Sequence, residues 1–149
     1  MLVYVDGSAL SRYLLDLPGS REWRAWAEAF EPSFVTTPLG LTELSRVAQG
    51  LDAGGRTRAH EVGERLTVVR FSDQTLAAAA TAPGSLSPFA ALHLGTAVAH
   101  PDITMLATYD ALLAREADTY GLAIVSPGYP EGWWFRRRPT DAASPPGAG

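Results

Sequence analysis

Five short runs of apolar residues recur along the chain, and longer stretches with helical spacing separate them. The runs are rich in β-branched or aromatic residues and cover residues 2–5, 33–36, 67–71, 103–107 and 122–125. Between them, apolar residues return every three or four positions, as at Leu44, Val47 and Leu51, which is typical of a helix with one buried face. Alternating strands and helices predict an α/β fold, a three-layer α/β/α domain around a central parallel sheet of about five strands.

Turn-forming residues stand where this pattern changes, and they set the expected boundaries. Asp110 can cap a helix over residues 111–120, and Gly121 then ends that helix before the last strand. We expect one domain over residues 1–130. Residues 131–149 form an aromatic and arginine-rich segment, and the Pro, Gly, Ala and Ser residues at its end predict a flexible tail.

Composition removes several classes of chemistry. The 149 residues contain no cysteine, which excludes disulfides, a thiol nucleophile and a cysteine zinc site. They also contain no lysine, which excludes a phosphoacceptor receiver domain, Schiff-base chemistry and a P-loop. The chain shows no secretory leader and no apolar stretch long enough for a membrane span, so we expect a cytoplasmic protein without a membrane partner. The net charge of −4 does not by itself indicate nucleic acid.

Three acids are the candidate chemistry of the chain. Asp6 and Asp110 follow predicted strands, and the carboxyl ends of neighbouring parallel strands form the usual ligand site of an open α/β sheet. Glu43 enters from the helix that follows the second strand. Carboxylates gathered at one edge repel each other unless a cation or protons offset their charge, so the pattern predicts a Mg²⁺ or Mn²⁺ site.

Each acid also has an ordinary structural interpretation. Asp6 can cap a helix that starts near Ser8, Asp110 can cap the helix after it, and Glu43 can be a solvated residue paired with Arg46. Their joint placement around one sheet edge favours a functional site over three unrelated roles.

Several segments, in this order and at this spacing, carry a resemblance to a known family. They are Tyr4 to Leu10, Thr42-Glu43-Leu44, Ala91-Leu92-His93-Leu94-Gly95-Thr96-Ala97, Thr108-Tyr109-Asp110, Gly121-Leu122 and Ser126-Pro127-Gly128. Over about residues 1–130 the chain resembles the PIN-domain ribonucleases, and within them the VapC-type toxins of toxin–antitoxin pairs. The resemblance implies a PIN-like fold and endonucleolytic, metal-dependent cleavage of RNA.

The resemblance also implies roles for the acids and shows one departure. Asp6 would be the central metal ligand, Asp110 a supporting ligand, and Glu43 a ligand or an orienter of the attacking water. The family usually carries another aspartate ligand where this chain has Ala90. Loss of a ligand weakens a hard-cation site. We therefore expect impaired activity, and the rival interpretation is an inactive PIN-like domain that binds RNA or an antitoxin without cleavage.

Other polar residues near these segments have two interpretations. Ser8 could hydrogen-bond the metal shell or serve only as a helix-start hydroxyl. His93 lies on roughly the same helical face as Ala90, and a lone histidine is more often packed or hydrogen-bonded than catalytic.

Two aromatic groups suggest partners. Trp133, Trp134 and Phe135 precede Arg136, Arg137 and Arg138, a combination that suits single-stranded RNA, although the aromatics can also simply pack on the domain. The stripe that contains Trp23 and Trp26 can be core or a partner groove. The resemblance implies an antitoxin partner and a homodimer.

Overall fold

A computed structural model describes residues 1–135 of the chain. Strands and helices alternate through most of it. The strands are β1 (Leu2–Val5), β2 (Phe34–Thr36), β3 (Thr67–Val68), β4 (Ile103–Ala107) and β5 (Ala123–Val125). The α-helices are α1 (Gly7–Leu10), α2 (Ser20–Phe30), α3 (Pro38–Gln49), α4 (Ala53–Arg65), α5 (Asp73–Ala80), α6 (Pro88–Ala99) and α7 (Ala111–Thr119). Short 3₁₀ turns cover Ser11–Tyr13, Glu31–Ser33 and Trp133–Phe135.

The five strands form one parallel sheet in the order β3-β2-β1-β4-β5. This confirms the predicted α/β fold with a five-stranded parallel sheet. The third strand is shorter than the run 67–71 from which it was predicted, because Ser72 caps α5 and the chain leaves the sheet before it. Val69 still donates a hydrogen bond to the carbonyl of Thr36 (2.8 Å).

Apolar side chains cover both faces of the sheet, which makes the domain three layers thick. Val3 and Val5 point into a core with residues of α2, α3 and α4, while Tyr4 between them points to the other side. There it meets residues of α6 and α7, such as Leu94 and Leu113. This alternation follows from the two-residue period of a strand and places helices on both faces.

The direction in which the chain adds strands to the sheet reverses at β1. The chain runs from β1 outward to β2 and β3, and then returns to place β4 on the other side of β1. The crevice between the carboxyl ends of β1 and β4 is therefore the switch point at which open α/β sheets bind ligands. Gly121 helps to place β5 beside β4, since it takes a left-handed φ of +82° directly after α7, as predicted for a helix-ending glycine.

The aromatic residues of α2 divide between core and surface. Trp23 is fully buried, stacks on Phe34 with ring centroids 5.5 Å apart, and belongs to the core. Trp26 is half-buried, and Phe30 next to it is 48% exposed. Within residues 1–135, no helix is both long and apolar enough to cross a membrane.

Candidate functional site at the switch point of the sheet

Asp6 lies directly after β1 and is the most buried acid at the switch point, with 3% of its surface exposed. Its Oδ1 accepts a hydrogen bond from the backbone N–H of Ala9 (2.9 Å), so it caps the short helix α1 as predicted. Burial raises the pKa of the Asp6 carboxyl above its ordinary value, although nearby His93 and the surrounding hydrogen-bond donors act against it. The charged form of the Asp6 carboxyl is thus only partly stabilised by its surroundings.

Two hydroxyl groups hold the Asp6 carboxylate, one from the segment after β1 and one from the segment after β4. Ser8 donates to Oδ1 (2.7 Å), and Thr108, which follows β4, donates to Oδ2 (2.5 Å). The Ser8 hydroxyl also accepts the backbone N–H of Tyr109 (2.8 Å). Ser8 therefore combines its helix-start position with a bond to the predicted central acid, and it ties the segment after β1 to the segment after β4.

Asp110 lies on the same crevice, two residues beyond Thr108. Its backbone N–H donates to the Thr108 hydroxyl (3.0 Å), which thereby links Asp110 to Asp6. Its Oδ1 accepts the N–H groups of Leu112 and Leu113 (3.0 and 3.2 Å), the capping role predicted for α7. Capping and a place at the switch point are thus compatible for both aspartates.

Glu43 reaches the crevice from α3, and its partner is His93 of α6 rather than Arg46. His93 Nε2 lies 2.5 Å from Glu43 Oε1, and the His93 side chain is 4% exposed while the Glu43 side chain is 31% exposed. The other oxygen, Oε2, lies against Gly7, where a Cβ atom would overlap with it. Glu43 is therefore fixed next to the residue that follows Asp6.

His93 belongs to a buried chain of hydrogen bonds. Its Nδ1 lies 2.6 Å from the Tyr4 hydroxyl, which in turn lies 3.2 Å from the hydroxyl of Thr37. Burial raises the pKa of the Tyr4 phenol, a hydrogen bond with Thr37 lowers it, and nearby Asp6 and Glu43 raise it further. The phenol accordingly stays protonated at neutral pH and can act as a donor.

Ala90 lies in the first turn of α6, one turn before His93. It is 6% exposed and belongs to the apolar cluster that contains Tyr4 and Leu94. Its backbone N–H donates to the Ser87 hydroxyl (3.1 Å), which caps the helix. Position 90, where the resemblance implies an acid, is thus an apolar contact in this chain.

Among residues 1–135, no group of three or more acidic, histidine or cysteine side chains is close enough to hold a metal ion. The acids predicted to converge do reach one edge of the sheet, yet they do not form a closed ligand set. Asp6 is bound by hydroxyl and amide donors, and Glu43 is bound by His93.

Trp133 and Trp134 are half-buried, and both contact the domain. Trp133 lies edge-to-face on Tyr129 with centroids 4.9 Å apart, and Arg115 donates to the Trp134 carbonyl (3.1 Å). The packing interpretation therefore holds for these two residues. The arginines predicted to bind RNA, Arg136, Arg137 and Arg138, lie outside the described residues, and the division of the chain at residue 130 stays a prediction.

The sequence matches the family model of the PIN domain over residues 3–126. That range includes strands β2 to β5, all of β1 except Leu2, and every acid described above. The chain belongs to the PIN-domain family.

A curated relative indicates which type of PIN domain the chain resembles. The chain is 30% identical over 133 residues to Ribonuclease VapC47 of Mycobacterium tuberculosis (strain CDC 1551 / Oshkosh). The match covers 85% of this chain and 98% of the relative. The predicted resemblance to PIN domains of the VapC type is therefore confirmed.

Three site residues of this PIN domain had no role assigned from sequence. They are Thr108, which bonds Asp6, Tyr4, which bonds His93, and Thr37, which bonds Tyr4. The signal was present for Thr108 and Tyr4, because each stands two residues before a candidate aspartate. Thr37 carried no comparable signal, since it reads as an ordinary cap for α3 and does cap it.

Proposed function

We propose that the chain is an endoribonuclease of the VapC type, the toxin of a toxin–antitoxin pair. It cleaves RNA with Mg²⁺ or Mn²⁺, and does so weakly because position 90 is alanine. The observation that carries the proposal is the buried Asp6 carboxylate at the switch point, held by Ser8 and Thr108. Membership of the PIN-domain family and a relative that bears the name ribonuclease support it.

Asp6 and Asp110 are the residues that would hold the cation. Mg²⁺ takes oxygen ligands, keeps several waters, and is usually bound by one or two carboxylates together with substrate phosphates. The donor set at the crevice consists of oxygens only, and the raised pKa of Asp6 marks a carboxylate that positive charge would stabilise. The residues present therefore fit a weakly held ion. When bound, such a cation lowers the pKa of a coordinated water and offsets charge on the phosphate.

The protein groups around it have distinct roles in the proposal. Ser8 and Thr108 fix both oxygens of Asp6, so that this carboxylate would present one orientation to a cation. Glu43 orients the attacking water and accepts its proton through Oε2, the oxygen that His93 does not bond. The attack is in line with the leaving oxygen of the scissile phosphodiester.

A second candidate function is a PIN domain that binds RNA or an antitoxin without cutting. Two observations favour it: Ala90 is an apolar contact, and the described part of the chain contains no three-ligand metal group. In this case the crevice would keep its shape without holding a cation.

Cleavage of a mixed RNA pool separates the two functions. The chain, its Ala90→Asp variant and Asp6→Asn as the blank are compared in Mn²⁺ and in chelator. Cleavage gained or strengthened in Ala90→Asp, dependent on Mn²⁺ and absent in Asp6→Asn, supports a ribonuclease weakened at one ligand. Equal cleavage by the chain and Ala90→Asp shows that three acids suffice. No cleavage by either, with RNA still bound in chelator, establishes the binding function instead.

The proposal includes partners and place of action. RNA is the substrate, a cognate antitoxin binds the toxin, and two copies of the chain form a homodimer that acts in the cytoplasm. Light scattering on the purified chain tests the dimer, which requires twice the mass of one chain. A monomeric mass at all concentrations contradicts that part of the proposal and leaves the nuclease assignment to the cleavage experiment.

A further inference from the structure

His93 is a buried histidine of which both ring nitrogens have partners. Nε2 contacts a carboxylate oxygen of Glu43 at 2.5 Å, and Nδ1 contacts the Tyr4 hydroxyl at 2.6 Å. Only 3% of the residue is exposed, so substrate does not reach the ring. Its direct hydrogen bond to an acid of the crevice is the one with Glu43.

The Glu43 carboxylate fixes which nitrogen of His93 is the donor toward it. A carboxylate only accepts hydrogen bonds, so Nε2 carries the proton that it donates to Glu43. In a neutral ring Nδ1 accepts from the Tyr4 hydroxyl, and in a protonated ring Nδ1 donates to it. The hydroxyls of Tyr4 and Thr37 continue the chain, and the Thr37 oxygen accepts the N–H of Gly40 (3.2 Å). Nε2 carries a proton in both states of the ring.

The contact joins two helices that lie on opposite faces of the sheet. Glu43 is on α3, which packs with β1 residues such as Val5, whereas His93 is on α6, which packs with Tyr4. The two side chains meet above the carboxyl edge between these layers. Once His93 holds Oε1, the second oxygen of Glu43 is directed to Gly7, the neighbour of Asp6.

We propose that His93 is a positioning residue: through its Nε2–H it holds Glu43 with Oε2 against Gly7, the residue that follows Asp6, and Tyr4 with Thr37 keeps the imidazole in the required orientation. This inference rests on the proposed function and gives it a further residue. It explains how Glu43 keeps one orientation in the crevice. Partners that orient a catalytic group from outside typically contribute about 10- to 100-fold in activity.

Two substitutions separate the hydrogen bond from the volume of the ring. His93→Leu fills similar space without a donor, whereas His93→Gln can place an amide N–H near the position of Nε2. Both are made in the chain and in its Ala90→Asp variant, with circular dichroism and urea unfolding to verify folding. In RNA cleavage, we expect kcat to fall about 10- to 100-fold in His93→Leu with little change in KM, and to recover most of this loss in His93→Gln. Equal kcat in His93→Leu and the parent overturns the proposal.

Nitrogen NMR of the imidazole provides a readout that does not need activity. We expect Nε2 of His93 to carry a proton, with Glu43→Gln shifting the Nε2 resonance and Tyr4→Phe shifting the Nδ1 resonance. A ring that is insensitive to Glu43→Gln overturns the proposal. If neither the parent nor Ala90→Asp cleaves RNA, the proposed function fails, and the Nε2 response alone then decides whether His93 holds Glu43.

Discussion

The Thr108 hydroxyl donates a 2.5 Å hydrogen bond to Oδ2 of Asp6, across 102 positions of sequence. Thr108 is fully buried, and its hydroxyl oxygen also accepts a hydrogen bond from the backbone N–H of Asp110. A single hydroxyl thus connects the two aspartates that follow neighbouring strands.

Replacing Thr108 by valine should destabilise the fold and weaken the site. The shape is kept, but the buried Asp6 carboxylate loses a donor and the N–H of Asp110 loses an acceptor, at a cost of about 1–3 kcal/mol. Urea unfolding at neutral pH measures this loss, and Thr108→Ser should recover most of it. Thr104→Val, at an exposed position of β4, is the matched control and should be nearly neutral. Equal stability of Thr108→Val and the parent would contradict a structural role for this hydroxyl.

Placing an aspartate at position 90 should lower stability in chelator and make it depend on metal. The new carboxylate enters a site that is 6% exposed and lined by apolar residues, which costs about 1–3 kcal/mol without a partner. If a cation binds the folded chain there, Mn²⁺ raises the melting temperature of Ala90→Asp more than that of the parent. Ala91→Asp adds the same charge one position further along α6 and serves as the control. A Mn²⁺ response equal in all three chains would show that position 90 contributes no ligand.

Adding one methyl group at Gly7 should impair cleavage and also lower stability. Its Cβ would overlap with the carboxylate of Glu43 and lie 2.9 Å from Glu43 Cβ, so the base of that side chain must shift together with its end. Movement breaks the contact with His93, so we expect cleavage by Gly7→Ala to fall about tenfold or more. Gly84→Ala is the control, since a Cβ there meets open space. Unchanged cleavage in Gly7→Ala would show that the orientation of Glu43 is not required.

The ion pair between Glu31 and Arg65 should make stability depend on pH in the acid range. Arg65 Nε donates to Glu31 Oε1 (2.6 Å) and Tyr13 donates to Oε2 (2.6 Å). Burial raises the pKa of Glu31, but the hydrogen bonds from Arg65 and Tyr13 outweigh it and hold that pKa below its ordinary value.

A folded-state pKa below the unfolded one stabilises the fold above the unfolded pKa, and this contribution is lost as pH falls through the folded pKa. Glu31→Gln should therefore cost about 1 kcal/mol at pH 7, since Arg65 is half-exposed and screened, and the difference from the parent should shrink below about pH 4. Urea unfolding across pH measures it. Glu28→Gln, an exposed change on α2, should show no such trend.

The sequence was sufficient to predict the sheet and the position of two of the acids at its edge. Strands were predictable because β-branched and aromatic runs alternate with helical spacing, and Asp6 and Asp110 follow from the rule that ligands bind at carboxyl ends of strands. The shorter β3 was not predictable from its apolar run, because the Ser72 cap ends it and capping competes with strand propensity.

The partner of Glu43 lay beyond what spacing can show. Pairing Glu43 with Arg46 was a local expectation, since residues three apart share a helix face. The actual partner, His93, is 50 positions away on a helix of the opposite layer, and only the packing of both helices on the sheet brings them together. Such contacts depend on tertiary geometry, which cannot be predicted from the periodicity of a single helix or strand.

The arrangement of the crevice also has a consequence during synthesis of the chain. Asp6 is synthesised before its partner Thr108 and the neighbouring strand β4, which come about a hundred residues later. Until then Asp6 has only its local hydrogen bonds from Ser8 and Ala9, and β1 has a neighbour on only one side. A nascent or prematurely ended chain therefore lacks the assembled crevice, so whatever chemistry it performs begins only when nearly the whole domain has been translated.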